Sequence, residues 1–335
     1  MKKIIIVFSF LFFNIINAQV NDFKNIDFTR ADNIAKLNEG ENLQNLSLLS
    51  YKLTSKLPTD VEKFRAIYSW VCNNIRGDYY QHSKVLRKIK KFQNDSIRLM
   101  KWNEDYKKVA FKKLLKHKKT MCTGYSYIVK ELAFLADIEC EIINGYGRDI
   151  ESNVDSLELA NHSWNAVKLK DKWYLCDATW SSGYINEKNT FVSDYNDGYF
   201  LADPIMFSTN HYPLDEEWLL NSQTTSTAFV TSPLVYTEAF EQKVFPLSPS
   251  VMHLEINRKD EVSFRLKTLK DIPLENISLV IFSGPIEKNL EIYDIKNENG
   301  IIEFKNKFNW VGFYDVHLKI YEDIIATYTV KVTNE

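Results

Sequence analysis

The sequence predicts an α+β core over residues 58–222 followed by a smaller all-β antiparallel sandwich over residues 251–335. Three observations carry this. Val61, Phe64, Ile67, Val71 and Ile75, and again Tyr125, Ile128, Leu132 and Leu135, recur at steps of three and four, the spacing of one helix face. Around Lys170-Asp171-Lys172, two short runs rich in Trp, Val and Leu read as strands joined by a turn. Beyond residue 250, seven short alternating runs (252–256, 262–266, 277–282, 290–293, 301–304, 314–320 and 324–332) are separated by turn residues, the pattern of a sandwich.

The elements follow in order. Lys2-Lys3 precedes a run from Ile4 to Ile16 that is apolar except for Ser9 and Asn14, and Ala18 precedes polar residues. This is the pattern of a signal peptide, residues 1–18, cleaved after Ala18. The run is too short to span a bilayer, so the mature chain is expected to be exported, periplasmic or secreted, with no transmembrane segment. Residues 19–57 read as an N-terminal arm with one short helix. Pro58 and the capping pair Thr59 and Glu62 then open the first long helix. Residues 84–119 form a basic insert of fourteen Lys and Arg, read as a solvated helical hairpin or as a flap that favours acidic substrates. A strand over 139–146 and a polar loop over 149–158 precede the paired strands. Residues 184–198 read as a surface loop. Residues 223–250, with many Ser and Thr and with Pro233, Pro246 and Pro249, read as a linker. The sandwich shows no chemistry of its own and reads as a stabilising appendage or a module that binds a protein partner.

Composition excludes more than it assigns. Without residues 1–18 the chain has 40 basic and 44 acidic residues, a net charge of −4. That is near neutral and names no polyanionic partner. Aromatic residues are too sparse in the basic insert to argue for nucleic acid. The cysteines Cys72, Cys122, Cys140 and Cys176 include no CxxC pair, so no zinc site is expected. Cys72, Cys140 and Cys176 are expected to be buried free thiols.

Three stretches bring together the residue types of acyl transfer at sulfur: Met121-Cys122-Thr123-Gly124-Tyr125, Asn161-His162-Ser163-Trp164-Asn165 and Cys176-Asp177-Ala178-Thr179-Trp180. A thiolate attacks, an imidazole moves the proton, and a carboxylate orients the imidazole. Cys122 falls in the first turn of a helix, behind Thr120 as a possible N-cap, where the helix dipole favours thiolate. If Lys170-Asp171 is the turn, Asp177 faces Trp164 and is the diagonal neighbour of His162. If the turn is Asp171-Lys172, Asp177 faces Ala166 and lies too far from His162 to bond. Taken singly, each of the three residues reads as structural.

Together, Cys-Thr-Gly-Tyr, His-Ser-Trp-Asn-Ala-Val and Trp-Tyr-Leu-Cys-Asp-Ala-Thr-Trp resemble the transglutaminase-like superfamily, in the branch that includes kyphoscoliosis peptidase and related cytokinesis proteins. The stretch Arg65 to Ile75 is similar to that branch's upstream helix. Tyr199 to Pro204, followed by His211, Pro213 and Trp218-Leu219-Leu220, resembles its downstream segment. The resemblance spans roughly residues 55 to 220 and implies a papain-like core with Cys122 as nucleophile, His162 as base and Asp177 as its orienter. Gly124, Tyr125, Trp164, Trp180 and the upstream Trp70 are candidates for the substrate or oxyanion vicinity, although Trp70 reads better as a core aromatic. The implied activity is cleavage or transfer at peptide or protein amide bonds through a thioester, and the resemblance does not choose between them. Hydrolysis is expected over crosslinking because no acidic cluster near the motifs would hold a lysine ammonium and the nearest charged insert is basic. A binding or scaffold protein of the cell envelope that keeps the fold without turnover is the alternative. No cofactor is implied, and no acidic cluster stands out as a calcium site. The chain departs from the usual pattern in Cys176, where an aliphatic residue is common, and in the basic insert.

Overall fold

The computed structural model describes residues 22–150 and 152–334. The apolar run and the expected signal-peptide cleavage point lie outside them.

Helix α3 (Asp60–Asn74) begins as the capping pair demands. The Thr59 hydroxyl accepts from Glu62 N and bonds the Glu62 carboxylate at 2.5 Å. Helices α1 (Thr29–Leu37) and α2 (Leu46–Thr54) pack on it through Ala31, Ala35, Leu49 and Leu53, all buried. The arm therefore holds two helices and forms part of the core, because both present small or apolar residues at helical spacing.

The basic insert is a helical hairpin, α4 (Tyr79–Lys91) and α5 (Ser96–His117), with Asp78 and Asp95 as N-caps. Strands β1 (Arg76–Gly77) and β2 (Lys119–Thr120) pair in parallel, so the chain leaves and re-enters the core at one neck. Buried Asp78 forms an ion pair with Lys113 across that neck. Helix α6 (Cys122–Phe134) follows at once.

A four-stranded antiparallel sheet lies against α6. Its strands are β3 (Cys140–Gly147), β4 (His162–Leu169), β5 (Lys172–Cys176) and, after the short helix α7 (Ala178–Ser181), the hairpin β6 (Gly183–Ile185) and β7 (Phe191–Ser193), and helix α8 (Pro204–Phe207), strand β8 (His211–Pro213). The order is β5-β4-β3-β8. Successive side chains face opposite layers, as strand geometry requires. Val167, Tyr174 and Cys176 join the helical core of Phe64, Ile67, Ile128 and Val129. Trp164, Ala166 and Leu175 join a second core with Phe207, Phe240, Phe264 and Leu318.

That second core runs into the C-terminal region. Helix α9 (Ser226–Thr231), strand β9 (Leu234–Val235), helix α10 (Thr237–Gln242) and strand β10 (Val244–Ser248) occupy the stretch expected as a linker. It is no free linker: β9 and β10 join the sandwich sheets. The remaining strands are β11 (His253–Asn257), β12 (Glu261–Thr268), β13 (Ile277–Ser283), β14 (Ile286–Leu290), β15 (Tyr293–Glu298), β16 (Ile301–Lys307), β17 (Gly312–Ile320) and β18 (Asp323–Thr333). One sheet runs β10-β12-β16-β15; the other runs β11-β18-β17-β13-β14, with β9 also on β18. The sandwich strands pair antiparallel as expected, except where β11 pairs β18 in parallel. One expectation needs correction. The run expected at 290–293 is the turn between β14 and β15, because each of its ends pairs with a different sheet.

Arg148 fastens the two regions. It is buried, and its guanidinium donates to Ser232 O at 2.7 Å, Ser232 Oγ at 3.0 Å and Pro233 O at 3.0 Å. Burial, only partly offset by Asp155, brings its pKa down to about 10.

Candidate active site

The turn between β4 and β5 fixes the site. Lys170 and Asp171 take φ of 50° and 61°, the left-handed pair of a two-residue hairpin turn. Leu169 pairs with Lys172 and Asn165 with Cys176. Asp177, next along, thus reaches the position diagonal to His162. His162 Nε2 meets Asp177 Oδ2 at 2.7 Å. The other Asp177 oxygen, Oδ1, accepts from Thr179 N at 2.7 Å as the N-cap of α7, and Tyr68 donates to Asp177 O at 2.8 Å. This buried carboxylate is therefore held from both sides. Burial opposes its charge, but the charge and hydrogen bonds of His162 and the hydrogen bond of His211 hold it well below the usual carboxylate range.

Cys122 stands at the start of α6 and is buried. Met121, not Thr120, is the N-cap, and no side chain caps this end, because Thr120 is held in β2. Burial disfavours the thiolate, yet hydrogen bonds with His162 and His82 and their charges bring the thiol down to about 6. His162 moves the other way: burial lowers it, while the charge and hydrogen bond of Asp177, with Cys122, lift it to about 10. Cys122 Sγ also lies 3.9 Å from Asn161 O. The Asn161 side chain clamps Gly147, accepting from its N at 2.7 Å and donating to its O at 3.0 Å. Gly147 packs beneath His162, where a Cβ would come within 3.1 Å of the His162 side chain and of Trp180.

The flanking candidates divide. Trp180 stacks on the His162 ring, centroids 4.9 Å apart. Trp164 is buried behind it at 6.0 Å. Gly124 and Tyr125 sit in the site's foundation. A Cβ on Gly124 would fall 1.9 Å from Thr120 Oγ1, so glycine lets α6 close on β2. Tyr125 is buried and donates to Ile75 O at 2.9 Å. Trp70 is not at the thiol: it lies in the helical core, and its indole N–H donates to Asn38 O at 2.7 Å. A Trp on a buried helix face satisfies its polar edge locally when a carbonyl is in reach.

Two histidines went unassigned by sequence reasoning. His82 comes from the first turn of α4, brought to Cys122 by the β1–β2 neck, and nothing local marks it. His211 stood inside the downstream segment with no role. Its Nε2 lies 3.2 Å from Asp177 Oδ2. Ligand atoms of His162, Asp177 and His211 lie within 4.8 Å of one another, the one such group among the described residues that could surround a metal ion. The 2.7 Å contact is a hydrogen-bond distance, shorter than the separation of ligands each about 2 Å from a tetrahedral zinc. The other three thiols are free and buried; burial raises all of them, Cys140 to about 12.

Residues 48–178 match the transglutaminase-like superfamily. Human (Homo sapiens) kyphoscoliosis peptidase is 30% identical over 175 residues, 50% of this chain and 23% of that protein. Hillarin of Drosophila melanogaster is 25% identical over 225 residues, 63% of this chain and 25% of that protein. Cytokinesis protein 3 of Schizosaccharomyces pombe is 31% identical over 87 residues, 26% of this chain and 10% of that protein. The chain spans no more than about a quarter of the length of these relatives. Residues 48–178 thus carry a transglutaminase-like superfamily domain, and the stretch around it is similar to kyphoscoliosis peptidase, hillarin and cytokinesis protein 3.

Proposed function

We propose that this protein is an exported thiol enzyme that acts on peptide or protein amide bonds through Cys122, His162 and Asp177. The observation that carries the reading is the division of the His162 ring: Nε2 is taken by Asp177 at 2.7 Å, which leaves the other nitrogen for the Cys122 thiol. The Cys122 thiolate adds to the amide carbonyl. The backbone N–H of Cys122, at an uncapped helix start, faces the developing oxyanion. The His162 imidazolium protonates the leaving amine as the C–N bond breaks, and a thioester remains. Neutral His162 then takes a proton from water, hydroxide adds to the thioester, and the acid leaves as the thiolate reforms.

Hydrolysis is favoured over transfer to an amine. The helix that brings His82 to the thiol also carries Lys84, Arg87, Lys88, Lys90 and Lys91. That charge repels a lysine donor and tolerates acidic peptides. Water needs no binding site of its own, whereas an amine must be bound and oriented. The substrates suited to export are cell-envelope peptides or surface proteins, and the sandwich is available to hold a protein partner. Among the described residues no helix is long and apolar enough to cross a membrane.

One observation favours a second reading, a silent binding or scaffold protein: Cys122 and His162 are both buried beneath their neighbours. A test separates the readings. The protein and its Cys122→Ala variant are incubated with a broad panel of envelope-type peptides and a labelled primary amine. Free acid released by the wild type alone is expected. Dominant amine incorporation would mean a crosslinker, and neither product from any peptide would favour the silent reading.

A further inference from the structure

Asp177 serves two histidines with one oxygen. Oδ2 meets His162 Nε2 at 2.7 Å and His211 Nε2 at 3.2 Å. His211 is almost wholly buried at 1% exposure. Its ring is boxed by aromatic side chains: Phe207 stacks at 4.0 Å, Trp180 lies at 4.5 Å and Trp164 meets it edge-on at 5.0 Å. Its Nδ1 lies 2.7 Å from Asn210 Oδ1, and Asn210 Nδ2 lies 3.1 Å from the Tyr199 hydroxyl. Tyr199 in turn is 3.3 Å from Thr237 Oγ1.

A neutral imidazole has one N–H, yet both neighbours of His211 in this arrangement are acceptors. An imidazolium would satisfy both, at the cost of a second cation in an apolar box beside His162. Burial keeps His211 down at about 4 even though Asp177 pulls it up, which favours the neutral ring. Turning the Asn210 amide end for end exchanges Oδ1 and Nδ2 in place. Asn210 then donates to His211 Nδ1, Tyr199 donates to Asn210 Oδ1, and Thr237 donates to Tyr199. His211 Nδ1, Asn210 Oδ1 and the Tyr199 hydroxyl oxygen each then have a donor, and the only N–H of His211 points at Asp177.

We propose that His211 is a positioning residue, a neutral donor that fixes Asp177 Oδ2 against His162 and is itself fixed by the chain Asn210–Tyr199–Thr237. The inference rests on the roles proposed above for Cys122, His162 and Asp177. It reaches across the chain: β8 supplies His211, and α10 in the C-terminal region supplies Thr237. The sandwich side of the molecule thereby holds the carboxylate of the site.

The test uses His211→Phe, which keeps an aromatic ring in the box, and His211→Gln, whose amide nitrogen can reach the place of Nε2. Both are checked for melting temperature. Two readouts are taken: alkylation of Cys122 by a peptide chloromethyl ketone at pH 7, split into saturation and maximal rate, and the ¹⁵N spectrum of the ring nitrogens. His211→Phe is expected to lower the maximal rate about tenfold to a hundredfold with little change in half-saturation. His211→Gln should recover most of the loss, and the wild-type spectrum should show a neutral His211 protonated at Nε2. An unchanged rate in folded His211→Phe, a glutamine no better than phenylalanine, or a His211 imidazolium at pH 7 would overturn the inference. Failure of the underlying reading looks different: wild-type Cys122 would then alkylate no faster than an ordinary thiol, while the spectrum still reports the state of His211.

Discussion

His162 Nε2 meets Asp177 Oδ2 at 2.7 Å, and the charge that Asp177 favours on this ring in turn lowers the Cys122 thiol. The thiol is brought down to about 6 and the imidazole lifted to about 10. Below the first value the sulfur is protonated; above the second the ring is neutral. Thiolate and imidazolium coexist between them. Alkylation of Cys122 by iodoacetamide should therefore rise near pH 6 to a plateau. In His162→Ala the rise should move toward the ordinary thiol range near 8.5. A wild-type profile with its midpoint already near 8.5 would contradict the ion pair.

Asp177→Asn should leave the fold intact, since an asparagine oxygen can still accept from Thr179 N. It removes the charge that sets the tautomer and orientation of His162. The comparable change in a serine triad costs about ten-thousand-fold. The loss in kcat here should be smaller, because papain-like enzymes use an asparagine in this role. Unchanged turnover beside an inactive His162→Ala would remove Asp177 from the mechanism.

Gly124→Ala sets two effects against each other. In a helix, alanine is favoured over glycine by about 1 kcal/mol. Here the new Cβ would lie 1.9 Å from Thr120 Oγ1 and 2.7 Å from Thr120 Cβ. Thr120 is buried in β2 and has little room to turn. The clash should win, with a net loss of about 1–3 kcal/mol in denaturant unfolding. Adding Thr120→Gly should recover part of that loss; a double variant no more stable than Gly124→Ala alone would show the strain lies elsewhere.

Arg148→Ala removes three hydrogen bonds between the end of β3 and residues Ser232 and Pro233. It leaves buried carbonyls without donors, each worth about 1–3 kcal/mol. A loss of several kcal/mol is expected, with earlier proteolytic cleavage between residues 221 and 250. A thermal midpoint within a degree of wild type would mean that the two regions do not depend on this anchor.

Much of this was legible in the sequence because it is local. The stripes of α3 and α6 are the helices themselves, and the capping pair Thr59 and Glu62 marks the start of α3. The residues of the Cys122, His162 and Asp177 cluster announce themselves by context, and a two-residue turn decides their register. What escaped is set by distant partners. β9 is two residues long and exists because Val235 pairs with Ala326. His82 and His211 reach the site from elements far along the chain. Trp70 looked the same on paper whether it faced the site or the core, and only the carbonyl of Asn38 decides that.

The central claim is that Cys122 is an activated nucleophile served by His162. Its most direct test is mass spectrometry of the intact and digested protein after a short exposure to an electrophilic amide-mimic probe at pH 7. A single adduct is expected, on Cys122, with Cys72, Cys140 and Cys176 unmodified because burial keeps them as thiols. The adduct should form far more slowly in His162→Ala. Labelling spread over several cysteines, or labelling of Cys122 at the same rate with and without His162, would contradict it.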